Sequence, residues 1–184
     1  RFGSGAVMRR RDYRSTGGAS GAVSGRRAMR RLPSLTPLFT FEHVTVQRGG
    51  RDALVDVSLT VADAGAVTCL QGASGSGKST LLRLCNRLVV PTAGVVRFRG
   101  ESLAGVDVLA HRRRVGMVFQ RPTLFPGSVR DNLRSATPDA DDSAMVAALE
   151  RAALGAEFLD RDGARLSGGA RQRACLARTS ILEP

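Results

Sequence analysis

Residues 72–80 read Gly72-Ala73-Ser74-Gly75-Ser76-Gly77-Lys78-Ser79-Thr80, and the spacing of Gly72, Gly77, Lys78 and Ser79 is that of the loop GxxxxGK[ST]. The residue types follow from what holding a phosphate requires. Glycines at 72, 75 and 77 let the backbone turn tightly and approach an anion with no Cβ in the way. The amides of such a loop point inward as an anion nest, and a helix beginning at its end adds the positive end of its dipole. Lys78 brings a point charge to the outer phosphates, and Ser79 offers a hydroxyl to Mg²⁺. Lys78 is the only lysine among 28 basic residues, so a composition biased towards arginine keeps one lysine at this position. Residues 72 through 80 are therefore the expected phosphate-binding set.

The flanking pattern suits such a loop. Val67-Thr68-Cys69-Leu70 is a short apolar run that predicts a buried parallel strand leading into Gly72. Lys78–Val90 has helical composition, with Leu81, Leu82, Leu84, Cys85 and Leu88 on one broad face and Pro91 as its stop. Strand, glycine loop and amphipathic helix together predict an α/β fold with a P-loop NTPase core. Upstream, Phe41–Val46 and Ala53–Val61 predict two strands joined at Gly49-Gly50, a hairpin. Val95–Phe98 and Val115–Phe119 predict further strands. Ser143–Leu154 is alanine-rich, with Met145, Leu149 and Ala152 at helical spacing and Asp141-Asp142-Ser143 as cap candidates. Asp162-Gly163 predicts a turn, and Leu166–Leu182 a helix.

Bulk properties bound the partners. The net charge is +12, which by itself suggests nucleic acid. Residues 1–38, however, hold nine arginines against the single acid Asp12, so most of the excess is confined to that segment. This Arg/Gly/Ser-rich stretch predicts a disordered tail; a basic arm touching lipid or nucleic acid is the alternative. The chain begins with Arg1, so Met8 or Met29 is a candidate initiator. Cys69, Cys85 and Cys175 form no CxxC, are expected to be small buried hydrophobes, and fit a reducing compartment. No stretch approaches the ~20 apolar residues that span a bilayer.

Two further motifs narrow the reading. Residues 166–173 read Leu-Ser-Gly-Gly-Ala-Arg-Gln-Arg at a predicted helix start, where Ser167, Gly168 and Gly169 read either as a cap and turn alone or as a second anion site. Gln120 ends the predicted Val115–Phe119 strand and is followed by RPTLFPGSVRDNL at 121–133. Together with the phosphate loop, and in this order, these stretches resemble the Walker A loop, Q-loop and signature motif of ABC transporter ATP-binding proteins. The resemblance runs from about Phe39 to Pro184. It implies an ABC-type P-loop NTPase core with an antiparallel β-subdomain (about 39–66 with 95–100) and a helical subdomain (about 121–165).

The resemblance also implies ATP and Mg²⁺ as cofactors. Lys78 and Gln120 take catalytic roles, Ser79 and Gln120 serve the metal, and the Ser167–Gly169 segment contacts the nucleotide across a head-to-tail dimer with a second ATP-binding subunit. Transmembrane permease subunits would dock on the Gln120 loop at the cytoplasmic face of the membrane, with ATP-driven dimer closure coupled to solute transport. Nucleic acid is not expected as a partner; the alternatives are a non-transport ATPase acting on nucleic acid and a nucleotide-binding fragment without catalysis. The 121–133 segment is similar to compact bacterial cassettes, including phosphate-import and metal-transport types.

Three departures from the family pattern bear on the site. The aromatic that stacks on adenine falls at about Arg48, and His43 nearby is expected to be a surface residue. Ala170 stands where the signature has Gln. The Walker B strand, with its Asp and catalytic Glu, and the switch His would follow Leu182. The chain is therefore expected to be a fragment, with ATPase activity far below that of its full-length parent.

Overall fold

The computed structural model describes residues 37–63, 65 and 67–184. The expected tail lies outside these residues except for Pro37 and Leu38, which open the first strand. The described chain forms two compact units, one of residues 37–80 with 91–102, the other of 81–90 with 103–184.

The first unit is built on a four-stranded antiparallel sheet of β1 (Pro37–Arg48), β2 (Arg51–Ala62), β3 (Ala93–Phe98) and β4 (Glu101–Ser102), in the order β2-β1-β3-β4. Gly49 and Gly50, with φ of +55° and +72°, make the two-residue turn that matches strand twist and permits the Arg48–Arg51 pairing. Buried residues on β1 run Phe39, Phe41, Val44, Val46, so the step from 41 to 44 breaks strict alternation. A bulge at this step absorbs the extra residue against both neighbours and returns Val44 to the buried face. β2 bulges in turn, so that Leu54 and Val57 are both buried.

Side chains satisfy the backbone amides that the bulges release: His43 N–H donates to Ser58 Oγ at 3.0 Å and Asp56 N–H to Thr45 Oγ1 at 3.1 Å. Gly94 is required beside the bulge, since its φ is +83° and a Cβ there would lie 2.3 Å from the His43 carbonyl oxygen. The Phe39 and Phe98 rings, 5.1 Å apart, pack on the buried side at the end of the β1–β3 ladder.

The second unit is helical. Helix α1 (Lys78–Cys85) ends in it, followed by α2 (Val108–Arg114), α3 (Val129–Ala136), α4 (Asp142–Arg151) and α5 (Gly168–Ser180). Val129, Leu133, Met145, Ala148 and Leu149 are fully buried, and α5 packs into the same cluster through Ala170, Ala174, Ala177 and Ile181. Small residues on α5 let the helices approach closely while still excluding water from Leu and Met side chains. The starts are capped as P-loop-independent local signals dictate: Ser128 and Asp131 form a reciprocal capping box on α3, and Asp141 accepts from Ala144 N–H on α4 at 2.8 Å.

Several expectations are corrected. Val67–Leu70 forms no strand, and Val67 and Leu70 are exposed; Val115–Phe119 likewise has no ladder. A buried parallel strand exists only where neighbours complete its hydrogen bonds, and among the described residues every strand pair is antiparallel. Cys69, within the first of these segments, is exposed, whereas Cys175 is buried.

Helix α1 ends at Cys85, not at Pro91. Arg87 has φ +54°, its N–H donates to Leu84 O, and Leu88 N–H donates to Arg83 O. That is a Schellman closure with arginine where glycine is usual. Leu82 and Leu88, expected on the buried face, are exposed. The carbonyls left free at the end of α1 are capped from α2: His111 Nε2 meets Cys85 O at 2.7 Å, and Arg112 donates to Asn86 O and Arg87 O.

Candidate functional site

The 72–80 segment is an exposed loop that closes into the first turn of α1. Ser76 N–H donates to Ala73 O at 3.2 Å, tightening the turn. Gly77 has φ +87°, and a Cβ there would fall 2.6 Å from both Ala53 O and Leu54 Cδ2. Strand β2 thus sits against the loop at a distance only glycine allows. Gly75, at φ +82°, faces open space. Lys78 folds back over the loop, with Nζ donating to Gly72 O at 2.8 Å, Ala73 O at 2.7 Å and Ser76 Oγ at 3.3 Å. Its three protons are thereby matched, and the ammonium is held over the 72–76 backbone. Ser79 is exposed at the helix start, and Thr80 is buried beneath it.

Gln120 lies in the second unit, exposed, where the chain leaves the non-regular 115–119 segment. It lines a groove of about 640 Å³ together with Arg83, Met117, Thr123, Cys175 and Arg178. Ser167 caps α5, its Oγ accepting from Ala170 N–H at 3.3 Å, and Gly168 and Gly169 are exposed on the first turn. Free amides and an unobstructed approach fit an anion-binding helix start, and a Cβ at Gly168 would meet nothing within 4 Å. Ala170 is buried at 4% exposure among the α3–α5 core residues, which accounts physically for a small apolar residue at that place.

Arg48 is exposed beside the Gly49-Gly50 turn. His43 sits on the β1 bulge with its side chain 81% exposed and Nδ1 2.7 Å from Asp56 Oδ1. The residues sequence reasoning missed are Asn132 and Arg178. Asn132 is 1% exposed, and its carboxamide contacts the 121–127 segment downstream of Gln120. Its only signal was a polar residue between the apolar positions Val129 and Leu133, which also describes an ordinary solvated face.

Around α3 the charges are ordered. Arg130 donates to Asp160 at 2.8 Å and also to Asp142. The Arg130 hydrogen bond holds the Asp160 carboxyl below the usual carboxylate range, and hydrogen bonds from Ser128 do the same for Asp131. Burial pushes the Cys85 thiol up to about 12.

Comparison with known proteins gives a consistent result. The family model described as ABC transporter matches residues 54–184. The chain is 46% identical over 124 residues to ABC transporter I family member 17 of Arabidopsis thaliana, covering 65% of this chain and 47% of that protein. It is 39% identical over 175 residues to the phosphate import ATP-binding protein PstB of Rubrobacter xylanophilus, covering 85% of this chain and 61% of the relative. Among solved structures, a bacterial Atm1-family ABC exporter with ATP bound superposes with a TM-score of 0.75 at 30% identity, over 83% of this chain and 30% of that one. The chain thus spans less than two thirds of the length of each of these proteins.

Proposed function

The chain belongs to the ABC transporter family across residues 54–184, and on that premise we propose that residues 72–80 bind the phosphates of ATP–Mg²⁺ for a transport ATPase. The observation that carries the reading is the loop itself. Lys78 is poised over the 72–76 backbone, and β2 approaches Gly77 so closely that the turn admits no side chain. The cradle fits a polyphosphate: exposed amides, a helix start behind them and a cation whose bonds to neutral carbonyls can be exchanged for bonds to an anion.

Among the described residues no cluster of His, Cys, Asp and Glu is able to hold a metal by itself. The site therefore suits Mg²⁺ taken up with the nucleotide, with Ser79 as the protein's hydroxyl ligand and phosphate oxygens supplying the rest. Bound Mg²⁺ would neutralise developing phosphate charge; Lys78 would hold the outer phosphates, and Gln120 would orient water or metal. Hydrolysis is proposed for the whole protein, and among the described residues we assign no water-activating carboxylate.

The Ser167–Gly169 helix start is proposed to meet the nucleotide held by a second ATP-binding subunit. The groove beside Gln120 is proposed to face permease subunits, with the chain peripheral at the cytoplasmic side of the membrane. Among the described residues no helix is long and apolar enough to cross a membrane. The division into an antiparallel subdomain, a helical subdomain at about 121–165 and a tail at 1–38 belongs to the same proposal. One of the two relatives described above is named for phosphate import, and the solved structure is an exporter; both transport directions occur among the proteins this chain is similar to.

The test is Ser167→Arg in the full-length protein. A guanidinium at the first turn of α5 should abolish ATP-dependent dimerisation, read by size-exclusion with light scattering, and leave ATP binding by the monomer within about threefold, since half a log unit is under 1 kcal/mol. Loss of monomer binding as well would count against this division of labour.

A further inference from the structure

The stretch that follows Gln120 has no strand or helix between Pro122 and Phe125, yet its backbone is fastened at several points by side chains of α3 and α5. Asn132 of α3 grips Phe125 from both sides. Phe125 N–H donates to Asn132 Oδ1 at 2.8 Å, and Asn132 Nδ2 donates to Phe125 O at 3.0 Å. A carboxamide used in this way reproduces what a neighbouring strand would offer one residue. The remaining capacity of the same side chain is also used: Nδ2 donates to Ser128 O at 2.9 Å, and Oδ1 accepts from Arg178 Nη1 at 3.2 Å. All four hydrogen-bonding positions of the amide are occupied in a 1% exposed setting.

Arg178 extends the grip to α5. Its Nη2 donates to Thr123 O at 2.9 Å, and its guanidinium lies 4.9 Å from the centre of the Phe125 ring. Cys175, one turn earlier, brings its Sγ to the same Thr123 carbonyl at 3.5 Å. Segment 123–125 is thus tied to α5, the helix whose first turn carries Gly168 and Gly169 and whose cap is Ser167. Gln120 stands three residues before Thr123.

We propose that Asn132 and Arg178 are positioning residues that make the segment after Gln120 move with α5, so that engagement of an anion at Ser167–Gly169 is felt at Gln120. A helix moves as a unit because its hydrogen bonds are internal. A loop with no ladder follows it only if side chains join the two. Only the carboxamide both donates to and accepts from Phe125: an isosteric carboxylate keeps the acceptor, loses both donations and places an oxygen against Phe125 O. The inference rests on the proposed nucleotide role for its functional half and on geometry alone for its structural half.

The test uses the full-length protein with Asn132→Asp, Asn132→Leu and Arg178→Gln, in two arms. Amide hydrogen exchange without nucleotide is the first. The Phe125 amide should exchange at least about tenfold faster in Asn132→Leu, with Leu133 and Met145 within about twofold of wild type. Parallel acceleration of those core amides would show a packing role only and overturn the proposal. The second arm places a fluorophore on Arg121→Cys in a Cys69→Ser background and follows its response to ATP. The wild-type background should respond on dimerisation, and the variants should keep dimerisation while losing at least two thirds of the response. Should one Asn132 variant fail to fold, Arg178→Gln decides; an undiminished response in any folded variant overturns the proposal. Failure of the wild type to bind ATP would refute the nucleotide reading instead, and the exchange arm would still decide the clamp.

Discussion

Substituting Gly77 by alanine tests whether the loop's shape, and not merely its composition, makes the phosphate site. Two separate costs arise at this position. A residue with a Cβ at φ +87° is strained by about 1–2 kcal/mol. The added methyl would also lie 2.6 Å from Ala53 O and from Leu54 Cδ2; the leucine tip can rotate away, but the carbonyl belongs to β2 and moves only with the strand. Relieving such overpacking costs about 1–3 kcal/mol. The sum, about 2–5 kcal/mol, must appear somewhere measurable. If the free loop relaxes into another conformation, the competent fraction falls and the apparent dissociation constant for ATP rises at least about 30-fold. If the loop stays in place, the melting temperature falls instead.

Gly75→Ala is the control: φ +82° with nothing within 4 Å, so only the strain of about 1–2 kcal/mol applies. Titration with a fluorescent ATP analogue and thermal melting of both variants should place Gly77→Ala beyond Gly75→Ala in one or both readouts. Wild-type affinity together with wild-type melting in Gly77→Ala would refute the reasoning, as would equal damage at both positions.

Two further outcomes follow from the environment of particular groups. Burial raises the Cys85 thiol to about 12, so iodoacetamide at pH 8 should label exposed Cys69 at least about a hundredfold faster than Cys85, because the thiolate is the reacting form; mass spectrometry of labelled peptides checks this, and comparable rates would contradict it. Asp160, held low by Arg130, contributes stability that is present above the ordinary aspartate pKa of about 3.9 and lost as pH falls through its lowered folded value. Urea midpoints should therefore drop below about pH 4, and Arg130→Met should flatten that dependence; an unchanged acid slope in the variant would count against the pairing.

How much of this was legible depends on whether a signal is local. The hairpin was readable because Gly49-Gly50 supplies the two positive φ values its turn demands, and the caps were readable because Ser167 and Asp141 act within one turn of chain. The Gly–Lys–Ser spacing of the phosphate loop is local in the same sense. The bulge at His43 is not legible in the sequence, where Phe41–Val46 reads as a plain strand; a step of three between apolar residues also fits a helix. What failed was non-local. An apolar run such as Val67–Leu70 is compatible with a strand, but its ladder is decided by neighbours elsewhere in the chain. The early end of α1 turns on an arginine in the left-handed region at position 87, and arginine has no composition signal for that. Asn132 reads as a solvated helix residue until the fold shows that its amide faces a loop seven residues away.

The central claim is that residues 72–80 hold the phosphates of ATP, with Lys78 the cation that contacts them. Isothermal titration of Mg-ATP into the full-length protein and its Lys78→Ala variant tests this most directly. The loop's backbone is held by Gly77 against β2 and by the Ser76–Ala73 bond, not by the lysine alone, so the variant should retain its melting temperature within a few degrees. It should bind Mg-ATP at least about tenfold more weakly, the loss of one charge-assisted contact of about 1.5–3 kcal/mol. Equal affinity in a folded Lys78→Ala protein would contradict the account.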